Sequence, residues 1–115
     1  MFYLALFAAG MFFWTFVEYG MHNWNGHLSR GKTRFSRAHL RHHVDPEYEQ
    51  TSMEKFIQAA PIATGVFLFS SLLFGWLGGL VYSAGMVIAY LFYSYMHWAA
   101  HALAPTTAYG RWMRR

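Results

Sequence analysis

The first 17 residues are apolar and uncharged, and Thr15 is their only hydroxyl outside the aromatic side chains. A hydrocarbon core needs about 20 apolar residues and ~17 is the short limit, so this segment predicts a first membrane-spanning helix. The pattern then breaks. Glu18 opens a polar stretch that ends at Lys55, and the next formally charged residue is Arg111. The uncharged interval divides into two apolar runs, residues 57–77 and 80–98, at the Gly78-Gly79 pair, which is the predicted turn. The expected architecture is all-α: a polytopic membrane protein with three transmembrane helices, the last two a tight hairpin, and a histidine-rich helical loop after the first.

Charge placement orients that expectation. Arg30, Lys32, Arg34, Arg37, Arg41 and Lys55 lie between helices one and two, while Arg111, Arg114 and Arg115 follow helix three. Three spans put both groups on one side, and the positive-inside rule makes that side the cytoplasm. Trp14, Trp24, Trp76 and Trp98 fall near the expected interfaces, as an aromatic belt requires. A secretory signal would begin with a basic region, but no Lys or Arg precedes Arg30.

Composition narrows the class further. At 115 residues there is room for one unit, a single membrane domain over residues 1–115. With 56% hydrophobic, 21% aromatic and 12% charged residues, a soluble domain of this size could not enclose its own apolar runs. The net charge of +4 is juxtamembrane, so it is explained by topology and anionic headgroups, and no nucleic-acid partner is expected. There is no cysteine, so a metal would take nitrogen or oxygen ligands.

Seven histidines against five carboxylates carry the candidate chemistry. His22 and His27 close the first helix. His39, His42 and His43 form an HxxHH cluster, whose i, i+3, i+4 spacing places the three rings on one helical face. His97 and His101, at i and i+4, stand where the third helix emerges. All three groups are expected at one membrane level, where imidazoles on successive turns can converge on metal ions. Glu18 reads either as a ligand or as a hydrogen-bond partner of His22 that fixes its tautomer, and the second is preferred. Tyr93 has a similar supporting role or simply packs. Asp45-Pro46 stops the HxxHH helix, with Asp45 as a further partner for a histidine. HExxH, GxSxG, P-loop and GxGxxG motifs are absent, as are Glu-x-x-His ligands of soluble di-iron bundles.

Taken together, Glu18-Tyr19 with His22 and His27, His39-Leu-Arg-His42-His43 before Asp45-Pro46, and Tyr93 with His97 and His101 resemble the integral-membrane fatty acid hydroxylase and sterol desaturase superfamily. The resemblance covers nearly the whole chain. It implies that His22, His27, His39, His42, His43, His97 and His101 are ligands of a dinuclear centre, regarded as di-iron (Fe2+) in catalysis although zinc can replace it on purification. It also implies an enzyme that uses O2 and two electrons to hydroxylate or desaturate a fatty acyl chain or sterol. A separate ferredoxin- or cytochrome-like donor must supply the electrons, since no flavin or nicotinamide site is visible. Two departures stand out: His22 is followed by Asn23 where many members have arginine, and the members' further HxxHH box is expected where the chain reaches Arg115. The sequence is therefore expected to be a C-terminally truncated fragment, lacking part of the ligand set that activity requires. Other readings are a carotenoid hydroxylase of the same chemistry, or a non-catalytic membrane protein that binds haem for electron transfer or a metal for transport.

Overall fold

The computed structural model describes residues 1–45 and 48–102, apart from the side chains of His101 and Ala102. Pro46, Arg111, Arg114, Arg115 and the expected truncation at the chain's end lie outside the described residues. Among the described residues all regular structure is helical: α1 (Phe2–Tyr19), a π-helical segment (Gly20–Leu28) continuing it, α2 (Arg34–Val44) and α3 (Ser52–Ala102). Two stretches, Phe2–Leu28 and Ser52–Ala100, are long and apolar enough to cross a membrane.

The long α3 is not straight. Its 51 residues would extend about 75 Å at ~1.5 Å per residue, whereas the molecule measures 43 × 38 × 23 Å. The chain folds back at Gly75, whose φ of 74° and ψ of 165° belong to a region essentially reserved for glycine. This corrects the expected turn at Gly78-Gly79, because both of those glycines are helical. Their smallness serves packing instead. A Cβ on Gly79 would collide with the backbone and hydroxyl of Ser71 on the other limb, and one on Gly78 would lie 2.6 Å from Phe74 Cβ. Ser70 ties the limbs together, its hydroxyl 2.6 Å from the Val66 carbonyl and 3.4 Å from that of Gly79.

Helix α1 packs against the second limb, residues 76–102. Gly10 lies against the backbone of Tyr82 and Met86, while Gly85 lies against that of Phe7 and Met11, so neither position has room for a side chain. Small residues that let two backbones touch are the usual basis of helix association in lipid. Among the described residues, Leu6 and Met86 are the buried large apolar ones. Outward, Leu72 is 85% exposed and Trp76 71% exposed, a surface suited to hydrocarbon rather than water.

Both ends of α3 return to α2. The capping box Thr51-Ser52-Met53-Glu54 starts α3, with the Thr51 N–H and hydroxyl donating to the Glu54 carboxylate and the Glu54 N–H to Thr51 Oγ1. Glu54 also meets Arg34 at 3.3 Å. At the other end, His97 reaches His42. The histidine-bearing segments therefore gather at the end of the molecule opposite Gly75.

Candidate metal centre

His22 and His27 are five residues apart, a spacing that an α-helix would place about 140° apart at ~100° per residue. The structure brings their ring centroids to 5.0 Å. The π-helix over Gly20–Leu28 explains this, because its wider i→i+5 turn returns nearly to the same face after five residues. Ser29 closes the segment, donating its hydroxyl to the Trp24 carbonyl at 3.1 Å. Arg30 (φ 49°) and Gly31 (φ 79°), consecutive left-handed residues, then turn the chain into α2.

The turn is fastened by two hydroxyls. Thr33 caps α2 by accepting the Ser36 N–H at 3.0 Å and donates to Asn25 Oδ1 at 2.6 Å. Ser36, fully buried, donates to the Gly26 carbonyl and accepts the Gly31 N–H at 2.8 Å. These bonds press α2 against the π-helix, and Gly26 makes the contact: a Cβ there would lie 2.7 Å from His39 Cδ2. Phe35 stacks on the His39 ring, centroids 5.7 Å apart and planes within 8°.

His22, His27, His39 and His43 can each present a ring nitrogen within 4.8 Å of all the others. The Nε2 of His39 is 3.2 Å from the Nε2 of His27 and 3.2 Å from that of His43. An imidazole nitrogen bears either one N–H or one in-plane lone pair, so it can form one well-aligned hydrogen bond of this kind but not two. Neighbouring nitrogens held at ~2.0–2.1 Å from a common ion stand about 2.8–3.4 Å apart, from octahedral to tetrahedral geometry, a range that includes these separations. The donor set, all imidazole without thiolate, suits a borderline cation such as Fe2+ or Zn2+.

The HxxHH cluster does not act as one face, contrary to the expectation from its spacing. Relative to His39, residues at i+3 and i+4 diverge to opposite sides by ~100° in total. His43 consequently joins the cluster of four, while His42 faces His97 with 3.1 Å between their Nε2 atoms. His101 falls in the last turn of α3, and its side chain lies outside the described residues. Tyr93 stacks beneath His97, centroids 5.9 Å apart, and the Glu18 carboxylate lies near its hydroxyl. Asp45 caps α2, its N–H donating to the Arg41 carbonyl at 2.8 Å.

Burial holds His39 well below the usual imidazole range, down to about 4, and the neighbouring His22, His43, His27 and His42 add to the shift. Burial and the same kind of crowding by His27, His22 and His42 lower His43 too. Both rings are therefore neutral at neutral pH, the form that ligates metals.

Sequence reasoning did not find Gly26 or Ser36 as contributors to the site. Gly26 and Ser36 act through contacts between segments, for which spacing provides no signal. The break from α- to π-helical periodicity was legible only indirectly, in a five-residue histidine interval that an α-helix could not use.

No curated protein and no solved structure matches the chain. The sequence does match the fatty acid hydroxylase family over residues 7–115, a span holding all seven histidines, and the chain belongs to that family.

Proposed function

We propose that this chain is the membrane domain of a metal-dependent oxidoreductase that uses O2 to hydroxylate or desaturate a lipid, either a fatty acyl chain or a sterol. The observation that carries this reading is the position of His39 Nε2, 3.2 Å from two other imidazole nitrogens, where a single N–H or lone pair can align with only one of them and a shared cation serves all three. The His42–His97 pair supplies a second nitrogen site, so the chain fits a dinuclear centre, with His101 an additional candidate ligand. Haem fits poorly: nitrogens 3.2 Å apart leave no room for a porphyrin between them. Bound iron would supply the activation of O2 and the oxidising power needed for an unactivated C–H bond.

The protein's own contribution is positioning and exclusion. Neutral imidazoles would hold the metal without adding negative charge, and the Glu18 carboxylate lies near Tyr93, which stacks on His97. The limbs of α3 and helix α1 cross the bilayer as three spans, with the histidines at the cytoplasmic level marked by Arg30, Lys32, Arg34, Arg37 and Arg41. A lipid entering laterally would keep its chain in hydrocarbon while its reacting carbon approaches the histidines. Electrons come from a separate donor protein, ferredoxin- or cytochrome-like.

The deciding experiment is anaerobic loading of the detergent-purified chain with Fe2+, followed by desalting, metal analysis and an optical spectrum. We expect close to two irons per chain, no Soret band, and loss of at least one iron in His39→Ala. Less than one iron retained by the wild-type chain would remove the basis of the proposal.

A further inference from the structure

His42 is ordered by a different set of contacts from the four-histidine cluster. Its Nδ1 lies 2.9 Å from the carbonyl oxygen of Tyr48. A carbonyl only accepts, so Nδ1 carries the hydrogen, and in the neutral ring Nε2 keeps the lone pair. That lone pair is directed toward His97, 3.1 Å away at Nε2. The Tyr48 backbone thereby selects which nitrogen His42 offers.

Tyr48 is in turn held from α2. The guanidinium carbon of Arg41 sits 4.1 Å from the centroid of the Tyr48 ring, a cation–π contact. The Tyr48 N–H donates to the Asp45 carbonyl at 3.0 Å, and the Asp45 N–H donates to the Arg41 carbonyl at 2.8 Å. Arg41 therefore anchors the segment after α2 twice, by its backbone and by its side chain. It immediately precedes His42, so a single turn of helix carries both the clamp and the ring that the clamp orients.

We propose that Arg41 and Tyr48 are positioning residues for a second metal subsite at His42 and His97, separable from the subsite of His22, His27, His39 and His43. This rests on the reading that the histidines hold metal. The four-histidine cluster is organised by Ser36, Gly26 and the π-helix, none of which has a described bond to Tyr48. Loosening the clamp therefore weakens one ion and spares the other. Contacts that orient a ligating imidazole typically change metal affinity by about 10–100-fold.

The test is Co2+ titration of the full chain in detergent, following its visible absorption, for the wild type, Arg41→Gln, Tyr48→Leu and the conservative Tyr48→Phe. The wild type is expected to bind in two phases. Arg41→Gln and Tyr48→Leu weaken one phase about tenfold, the phase that His42→Ala abolishes, and leave the other unchanged. Tyr48→Phe, which keeps the ring under Arg41, behaves as wild type and shows that the segment still folds. Two wild-type phases with unaltered affinities in both Arg41→Gln and Tyr48→Leu would overturn the clamp while leaving the metal reading intact. Equal weakening of both phases would overturn it as well, by showing a general loss of structure. A wild type that binds no Co2+ would overturn both.

Discussion

At the scale of single residues, the site depends on where imidazole lone pairs point and on what surrounds them. His39 illustrates both. It is crowded by three other rings and by Phe35, and the same crowding that keeps it neutral brings two neighbouring nitrogens to 3.2 Å. This has a consequence for stability against pH in the metal-free protein. The imidazole titrates near 6.5 when unfolded and near 4 in the fold, so below about 6.5 the unfolded chain binds more protons. Folding stability should consequently fall as the pH drops from about 6.5 toward 4, and change little from this group at higher pH. Thermal melts of the metal-free chain in detergent across that range should show the decline, with a shallower slope in His39→Gln. An identical slope in that variant would assign the effect to another group.

At the scale of elements, two departures from regular α-helix do most to shape the molecule. The π-helix converts a five-residue interval into a chelating pair, and Gly75 converts one long helix into a hairpin. The two limbs then touch so closely that Gly79 has no space for a methyl group beside Ser71. Gly75 is different. Nothing lies within 4 Å of a Cβ built there, so its requirement for glycine is purely conformational. Gly75→Ala should destabilise the fold by about 1–3 kcal/mol, the typical penalty for such a backbone. Gly65→Ala, helical and equally open, should be neutral or slightly stabilising. Denaturant titrations of both variants in mixed micelles would check the contrast, and equal effects would refute the conformational origin.

At the scale of the whole molecule, α1 and the second limb of α3 run side by side from the Gly75 end toward the histidines, while the first limb runs the opposite way. Among the described residues, the cationic side chains between Arg30 and Lys55 share one end with the histidines, whereas the Gly75 end carries Trp76 and Leu72 exposed to the surroundings. Three crossings would put these ends on opposite sides of a bilayer. The chain has no cysteine, so single-cysteine variants can be labelled without background. In sealed vesicles, Lys32→Cys and Trp76→Cys should react with an impermeant maleimide from opposite sides, with Lys32→Cys on the cytoplasmic one. Labelling of both from the same side would refute the three-span arrangement.

Much of this was fixed by the order of residues alone. Uncharged apolar runs separated by a basic, histidine-rich stretch specify helices, their approximate limits and the grouping of ligand candidates, because burial in hydrocarbon is a property summed along a segment. Family membership was equally legible, carried by histidine spacings that survive without coordinates. Tertiary structure decided the rest. It moved the reversal from Gly78-Gly79 to Gly75, since glycine serves either left-handed geometry or close packing, and a sequence does not distinguish the two uses. It divided the HxxHH rings between two groups and brought Gly26, Ser36 and Tyr48 into the support of those rings. Those outcomes depend on which surfaces meet across long separations in the chain, where local periodicity has no information to give.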